Sequence, residues 1–253
     1  MKNLSFLFFI FFASICFGQQ KRIALVIGNN SYKKNPLTNP INDAKLIAKT
    51  IKECGFEVTL LQDASKNQML DAIYSFTDSL QLNKNNVGFF YFAGHGSQLN
   101  GQNYFWPVDA VIEKERETDD KCISTQKLFN AFGEDNQNML IAVLDACRNN
   151  PFENSRGQGQ GNGLAKINPA SGMLVAYSTQ PGNTAKDNED QENSTYSKAL
   201  AEQLLIPNQD VETIFKKVRT IVEDRSDFSQ SPREETALRG DPFYFIKTAE
   251  AES

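Results

Sequence analysis

A doubly wound α/β sandwich around a mainly parallel six-stranded sheet is the fold this chain predicts. Unbroken apolar runs such as Ile23–Ile27, Phe89–Phe92 and Leu140–Leu144 read as strands buried on both faces, the habit of parallel sheets. Stretches of helical periodicity lie between them, so strand and helix alternate. At 253 residues, 40% of them hydrophobic, the chain can bury one substantial core, and one domain over residues 19–247 is expected.

Taken in order, Arg22–Gly28 is the first strand. Asn39 and Pro40 offer an N-cap and a favourable first helical position, and Ala44, Ile47, Ala48 and Ile51 recur at helical spacing until Gly55 stops the helix. Phe56–Leu61 is the second strand. Ser65 and Gln68 form a capping box for a helix with Leu70, Ile73, Tyr74 and Thr77 on one face. Val87–Phe92 is the third strand and leads to His95.

Leu99–Val108 holds an Asn-Gly pair and an aromatic cluster, which suggests a hairpin or lid. Ser124 opens a short helix, and Leu140–Leu144 is the fourth strand, leading to Cys147. The glycine-rich stretch Arg156–Gly163 cannot pack a core, so about 153–168 is expected to be a mobile loop. Met173–Tyr177 is the fifth strand, and Gln180–Asn193 is a polar loop. Helices follow at Thr195–Leu205 and Val211–Glu223, the second with an apolar face of Val211, Ile214, Phe215, Val218 and Ile221. Phe243–Ile246 reads as the last, edge strand, and residues 248–253 as a tail.

The N-terminus carries a different message. Lys2 precedes the phenylalanine-rich run Leu4–Phe17, with small residues at Cys16 and Gly18. This is the pattern of a cleavable signal peptide over residues 1–18, cut before Gln19. The run is shorter than the ~20 apolar residues a membrane span needs. Export to the periplasm or beyond the cell is the expectation, with no stable membrane span afterwards. A lipoprotein through Cys16 is the lesser alternative, because Ile15 stands where lipidation signals carry a small residue. Cys54, Cys122 and Cys147 remain, an odd number that leaves at least one thiol unpaired within the chain. A Cys54–Cys122 disulfide is open on sequence. The net charge of −5 comes without a dense Lys/Arg stripe, so nucleic acid is not an expected partner.

Chemistry concentrates at two strand ends. His95, the one histidine, sits between Gly94 and Gly96, where backbone can approach a ligand closely. Cys147 occupies the matching place after the fourth strand, beside Arg148, whose charge favours the reactive thiolate. Parallel strands deliver both groups to the carboxyl-end crevice where open α/β sheets place their chemistry. A Cys/His pair there can supply a nucleophile and its proton partner, and the N–H groups of Gly96 and Cys147 can form an oxyanion hole. Asp145 lies two residues before Cys147 and so on the same face. An acid there wants a cation, either Arg148 or a basic substrate side chain. Asp43 lies near the start of the first helix, where the macrodipole alone would favour it. Asp187 lies in the loop after the fifth strand.

Three motifs in order, Ile23–Asn29 with its following Tyr32, Tyr91-Phe-Ala-Gly-His95-Gly96, and Leu144-Asp-Ala-Cys147-Arg-Asn-Asn-Pro-Phe152, resemble the caspase-like cysteine peptidases. The likeness is to the prokaryotic paracaspases and metacaspases, also called orthocaspases, and runs from about Lys21 to Phe245. It implies a caspase-type α/β/α sandwich, with Cys147 as nucleophile and His95 as proton partner. Gly96 and Cys147 would form the oxyanion hole, and Asp43, Asp145 and Asp187 an acidic S1 pocket for Arg or Lys at P1. Arg148 and Asn149 replace the His-Ser that metacaspases carry after the cysteine, which puts calcium dependence in doubt. Acidic clusters at Asp119–Asp120 and Asp187–Glu192 leave calcium activation open, with no cofactor otherwise implied and no other metal.

The expected function is a secreted cysteine endopeptidase acting on protein or peptide substrates after Arg or Lys. Self-processing is expected at Arg156 or Lys166. The alternatives are a binding or regulatory module without turnover, and a redox-sensing thiol at Cys147.

Overall fold

The computed structural model describes residues 20–133, 137–147, 164–179 and 192–248, Cys147 by its backbone alone. Strands β1 (Arg22–Gly28), β2 (Glu57–Gln62), β3 (Val87–Leu99), β6 (Met139–Cys147) and β7 (Met173–Tyr177) form a parallel sheet. Its order is β2-β1-β3-β6-β7-β8, and β8 (Arg233–Thr236) closes the far edge antiparallel to β7. The short strands β4 (Gln102–Phe105) and β5 (Ile123–Ser124) pair off the outer end of β3. The mainly parallel six-stranded sheet of the sequence reading is present.

Alternation along the strands builds two cores. Ala24, Val26, Phe89, Tyr91, Ile141 and Val143 face one side. There they meet α1 (Pro40–Glu53), α5 (Thr195–Leu204) and α6 (Val211–Arg225). Leu25, Ile27, Phe90, Phe92, Leu140 and Leu144 face the other, against α2 (Lys66–Gln81) and α4 (Thr125–Phe132), which follows the single turn α3 (Thr118–Lys121). Strands covered on both faces have no polar side to show, which is why their sequences are apolar throughout. The result is an α/β/α sandwich with the carboxyl ends of β3 and β6 side by side.

The helix starts follow two different devices. Ser65 caps α2 in the expected box, its side chain accepting from Gln68 N while the Gln68 side chain accepts from Ser65 N. Asn39 adopts helical dihedrals and makes no side-chain cap bond for α1. That role falls to Asn30, whose Oδ1 accepts from Ile41 N at 2.8 Å and whose Nδ2 donates to Thr38 O at 2.8 Å. Gly28 makes this close entry workable. A Cβ there would lie 2.5 Å from Pro40 O and 2.6 Å from Ala44 Cβ, so α1 rests directly on the end of β1.

β3 is longer than its apolar run. It continues from Phe92 through His95 to Leu99, because its outer half exchanges parallel partners for the antiparallel β4. The turn is the Asn-Gly pair, Asn100 and Gly101 both at positive φ, the two-residue geometry that suits a twisted hairpin. The hairpin expectation holds here. β6 likewise runs on to Cys147.

The last strand departs from its expectation. The edge position belongs to Arg233–Thr236, whose charged sequence shows no apolar alternation. Phe243–Ile246 instead forms a strap with one isolated bridge, Asp210 to Tyr244, and buries Phe243 and Phe245 in the α1/α6 core. Its carbonyls find donors outside any ladder. Val211 N and Asn208 N donate to Phe243 O and Ile246 O. The Arg22 guanidinium donates to Tyr244 O at 3.1 Å, Phe245 O at 2.6 Å and Cys54 O at 3.0 Å, and lies over the Phe243 ring at 4.9 Å. Arg22→Met keeps most of the stem packing but leaves three carbonyls short of a charged donor. The expected loss is about 2–4 kcal/mol, read as a lower urea midpoint.

Cys54 and Cys122 are both free and buried, and they sit in different clusters. A disulfide between them is not formed.

Candidate active site

His95 sits where β3 changes partners. Its ring Nε2 lies 2.6 Å from Asn35 O. A carbonyl oxygen only accepts, so Nε2 carries the proton and Nδ1 is the basic nitrogen of the neutral imidazole. The backbone is fixed as firmly as the ring. Trp106 N donates to His95 O at 3.0 Å. The return bond runs through Tyr32, whose hydroxyl accepts from His95 N at 2.9 Å and donates to Trp106 O at 3.1 Å. The Tyr32 and Trp106 rings flank the imidazole at centroid distances of 4.3 and 5.9 Å. An imidazole held this way has a fixed tautomer and a fixed direction.

Cys147 ends β6 as the register partner of His95. Gly96, one residue further along β3, faces Phe105 of β4. Hydrogen-bonding direction alternates along a strand, so the N–H of Gly96 points to the β6 side, where Cys147 ends. A Cβ at Gly96 would sit 2.8 Å from Ala146 Cβ, so the two strand ends approach more closely than a side chain allows.

Asp145 and Asp43 meet on the α1/α5 side. Asp145 Oδ2 accepts from the hydroxyls of Tyr91 at 2.8 Å and Ser197 at 2.9 Å. Asp43 Oδ1 accepts from Ser194 N at 2.9 Å and Asn193 Nδ2 at 3.1 Å. Both aspartates are buried. Although Asp43 stands in the first turn of α1, its bonds go across to α5, so the macrodipole account of it is incomplete. Burial, and then the charge of Asp145, push its carboxyl up from 3.8 to about 7.

That shift has a sign for stability. Between roughly pH 4 and 7 the folded chain holds a proton that the unfolded chain has released, so stability falls as pH rises across this window and levels above it. The full cost of the ionised group is on the order of 4 kcal/mol. Asp43→Asn keeps an acceptor for Ser194 N and removes the charge that burial and Asp145 penalise. It is expected to raise the melting temperature at pH 8 and to flatten its decline between pH 4 and 7.

Asp187, Arg148 and Arg156 lie outside the described residues. Lys166 is described, and its neighbours are fastened. Ala165 N donates to Asn103 Oδ1 at 2.5 Å and Asn103 Nδ2 donates to Ala165 O at 2.8 Å. Ile167 N donates to the Tyr177 hydroxyl at 3.1 Å, and Lys166 pairs with Glu235 at 3.2 Å. Among the described residues no group of three or more His, Cys, Asp or Glu is placed to hold a metal ion. Asp119 instead accepts from the Tyr104 hydroxyl at 3.1 Å. No helix among the described residues is long and apolar enough to cross a membrane.

Sequence reasoning missed Tyr91, Ser197, Asn193, Ser194 and the Asn35 carbonyl. Tyr91 left a usable trace. A hydroxyl in a strand buried on both faces needs a partner, and period two puts it on the face of Ala93 and His95. A main-chain carbonyl such as that of Asn35 leaves no trace in residue type.

The family model described as Caspase domain matches residues 21–244. Over 128 residues the chain is 30% identical to mucosa-associated lymphoid tissue lymphoma translocation protein 1 of Homo sapiens. It is 31% identical to the homolog from Mus musculus over the same length. Each alignment takes in 50% of this chain and 15% of the relative, so the chain matches a small part of those longer proteins.

Proposed function

We propose that this chain, which belongs to the caspase-domain peptidase family, is an exported cysteine endopeptidase that cuts after Arg or Lys. One observation carries the reading. A tautomer-fixed His95 stands in register with Cys147, on the same sheet edge as the buried Asp43–Asp145 pair. A buried acidic pair of this kind is costly, and a cationic P1 side chain would relieve it.

In this scheme His95 Nδ1 takes the proton of the Cys147 thiol, and the sulfur attacks the scissile carbonyl. The developing oxyanion collects at the N–H groups of Gly96 and Cys147. The imidazolium then protonates the leaving amine as the C–N bond breaks, which leaves a thioester. Water, activated by the same nitrogen, releases the acid and restores the thiol. Asp43 and Asp145, with Asp187 from the loop after β7, would take the P1 cation. None of these steps uses a cofactor, and a calcium titration in the same assay tests activation.

Self-processing fits the same specificity. Arg156 is the favoured site, because cleavage after Lys166 requires Ala165 to leave Asn103 and Ile167 to leave Tyr177. Export rests on the N-terminal sequence.

The test is hydrolysis of fluorogenic peptides with Arg, Lys or Asp at P1 by the purified chain, beside a Cys147→Ala variant. Turnover of the basic substrates that is lost in the variant is the expected result. An aspartate preference would overturn the pocket assignment. A folded chain with no turnover on any substrate would favour a binding module.

A further inference from the structure

The contacts of Asp145 with Tyr91 and Ser197 form a closed triangle. Tyr91 Oη, Ser197 Oγ and Asp145 Oδ2 lie within hydrogen-bond distance of one another, with Tyr91 Oη to Ser197 Oγ at 2.7 Å. Two hydroxyl protons are available for three contacts. Both can go to the carboxylate oxygen, which then accepts two hydrogen bonds. Tyr91 and Ser197 are fully buried, Tyr91 in the sheet and Ser197 in the first turn of α5.

The same turn reaches the second aspartate. Ser194 Oγ accepts from Ser197 N at 3.1 Å, while Ser194 N donates to Asp43. A continuous chain of hydrogen bonds therefore runs Asp43–Ser194–Ser197–Asp145–Tyr91. Two carboxylates held at a fixed mutual placement suit the planar, forked guanidinium of arginine. A lysine ammonium is a point charge and tolerates a looser pocket.

We propose that Tyr91 and Ser197 are positioning residues that lock Asp145 in place and so set this pocket for Arg over Lys at P1. The inference rests on the reading of Asp43 and Asp145 as the pocket for a basic side chain. Neither hydroxyl needs to touch the substrate. Their effect passes through the carboxylate they hold.

Tyr91→Phe removes one oxygen from the core and nothing else, and Ser197→Ala tests the second corner from a different element. For each, KM for an Arg substrate is expected to rise about tenfold while kcat stays within about twofold. KM for the matched Lys substrate should change less, so the Arg/Lys ratio falls. Binding of benzamidine, an arginine mimic, should weaken by a similar factor in a titration that needs no turnover. A general packing defect would instead lower kcat on both substrates together.

If the wild-type chain cleaves basic substrates and both variants keep its Arg/Lys ratio and benzamidine affinity, the inference is overturned. If the wild-type chain binds benzamidine but cleaves nothing, and both variants weaken that binding, the peptidase reading fails and the positioning role stands. If the wild-type chain neither binds benzamidine nor cleaves after a basic residue, both fall.

Discussion

Replacing His95 by alanine is expected to lower kcat for peptide hydrolysis by about 100- to 10,000-fold, with the fold retained. The geometry explains why the loss should be large. Asn35 O holds Nε2–H, and Tyr32 and Trp106 confine the ring. The basic Nδ1 is therefore placed in advance, and no other imidazole exists in the chain. A second readout isolates the chemistry from substrate binding. In the chain from Gln19 onward, which leaves out Cys16, alkylation by iodoacetamide should report Cys147, because Cys54 and Cys122 are buried. Burial pushes the Cys54 thiol up to about 11 and raises that of Cys122 further, so neither offers thiolate near neutrality. The His95 variant should alkylate more slowly than wild type. Equal rates with unchanged kcat would remove His95 from the mechanism.

The parts legible in the sequence are those that depend on period and chain order. The apolar runs placed β1, β3, β6 and β7, and period two placed Asp145 beside the chemistry. The same logic failed at Phe243–Ile246, since burial of phenylalanines does not say whether a ladder or an arginine satisfies the backbone. β8 was missed for the converse reason. An edge strand such as Arg233–Thr236 gains its order from pairing with β7 and from pairs such as Arg219–Glu234, and neither requires apolar alternation. In the candidate site, residue type singled out the groups that bear charge or have the chemistry to react. Apart from the Tyr91 hydroxyl, the groups that hold Asp43 and Asp145 come from Asn193, Ser194 and Ser197 at the start of α5, some fifty residues beyond Asp145 and 150 beyond Asp43. Only the packing of α5 against α1 and the sheet brings them there, and spacing along the chain gives no sign of it.

Asp145→Asn is expected to reduce kcat/KM for Arg substrates by about 100-fold or more, on the scale of losing a buried charge partner. The amide is nearly isosteric and can still accept from Tyr91 and Ser197, so the fold should hold and the loss should fall on the cationic substrate alone. Reaction of Cys147 with iodoacetamide should stay within about twofold of wild type, since that reagent carries no charge to be read. The pH profile separates the two aspartates. In the empty pocket Asp43 takes up a proton as pH falls through about 7, which removes one negative charge from the site. For the wild-type chain, KM for an Arg substrate should therefore rise as pH drops from 8 to 6. Asp43→Asn should start with the higher KM at pH 8 and show little further rise. A bound guanidinium favours the ionised pair, so binding at pH 7 should release a fraction of a proton, measurable by titration in buffers of different ionisation enthalpy. A KM for Arg substrates indifferent to pH between 6 and 8 in the wild-type chain would mean that Asp43 does not share the cation with Asp145.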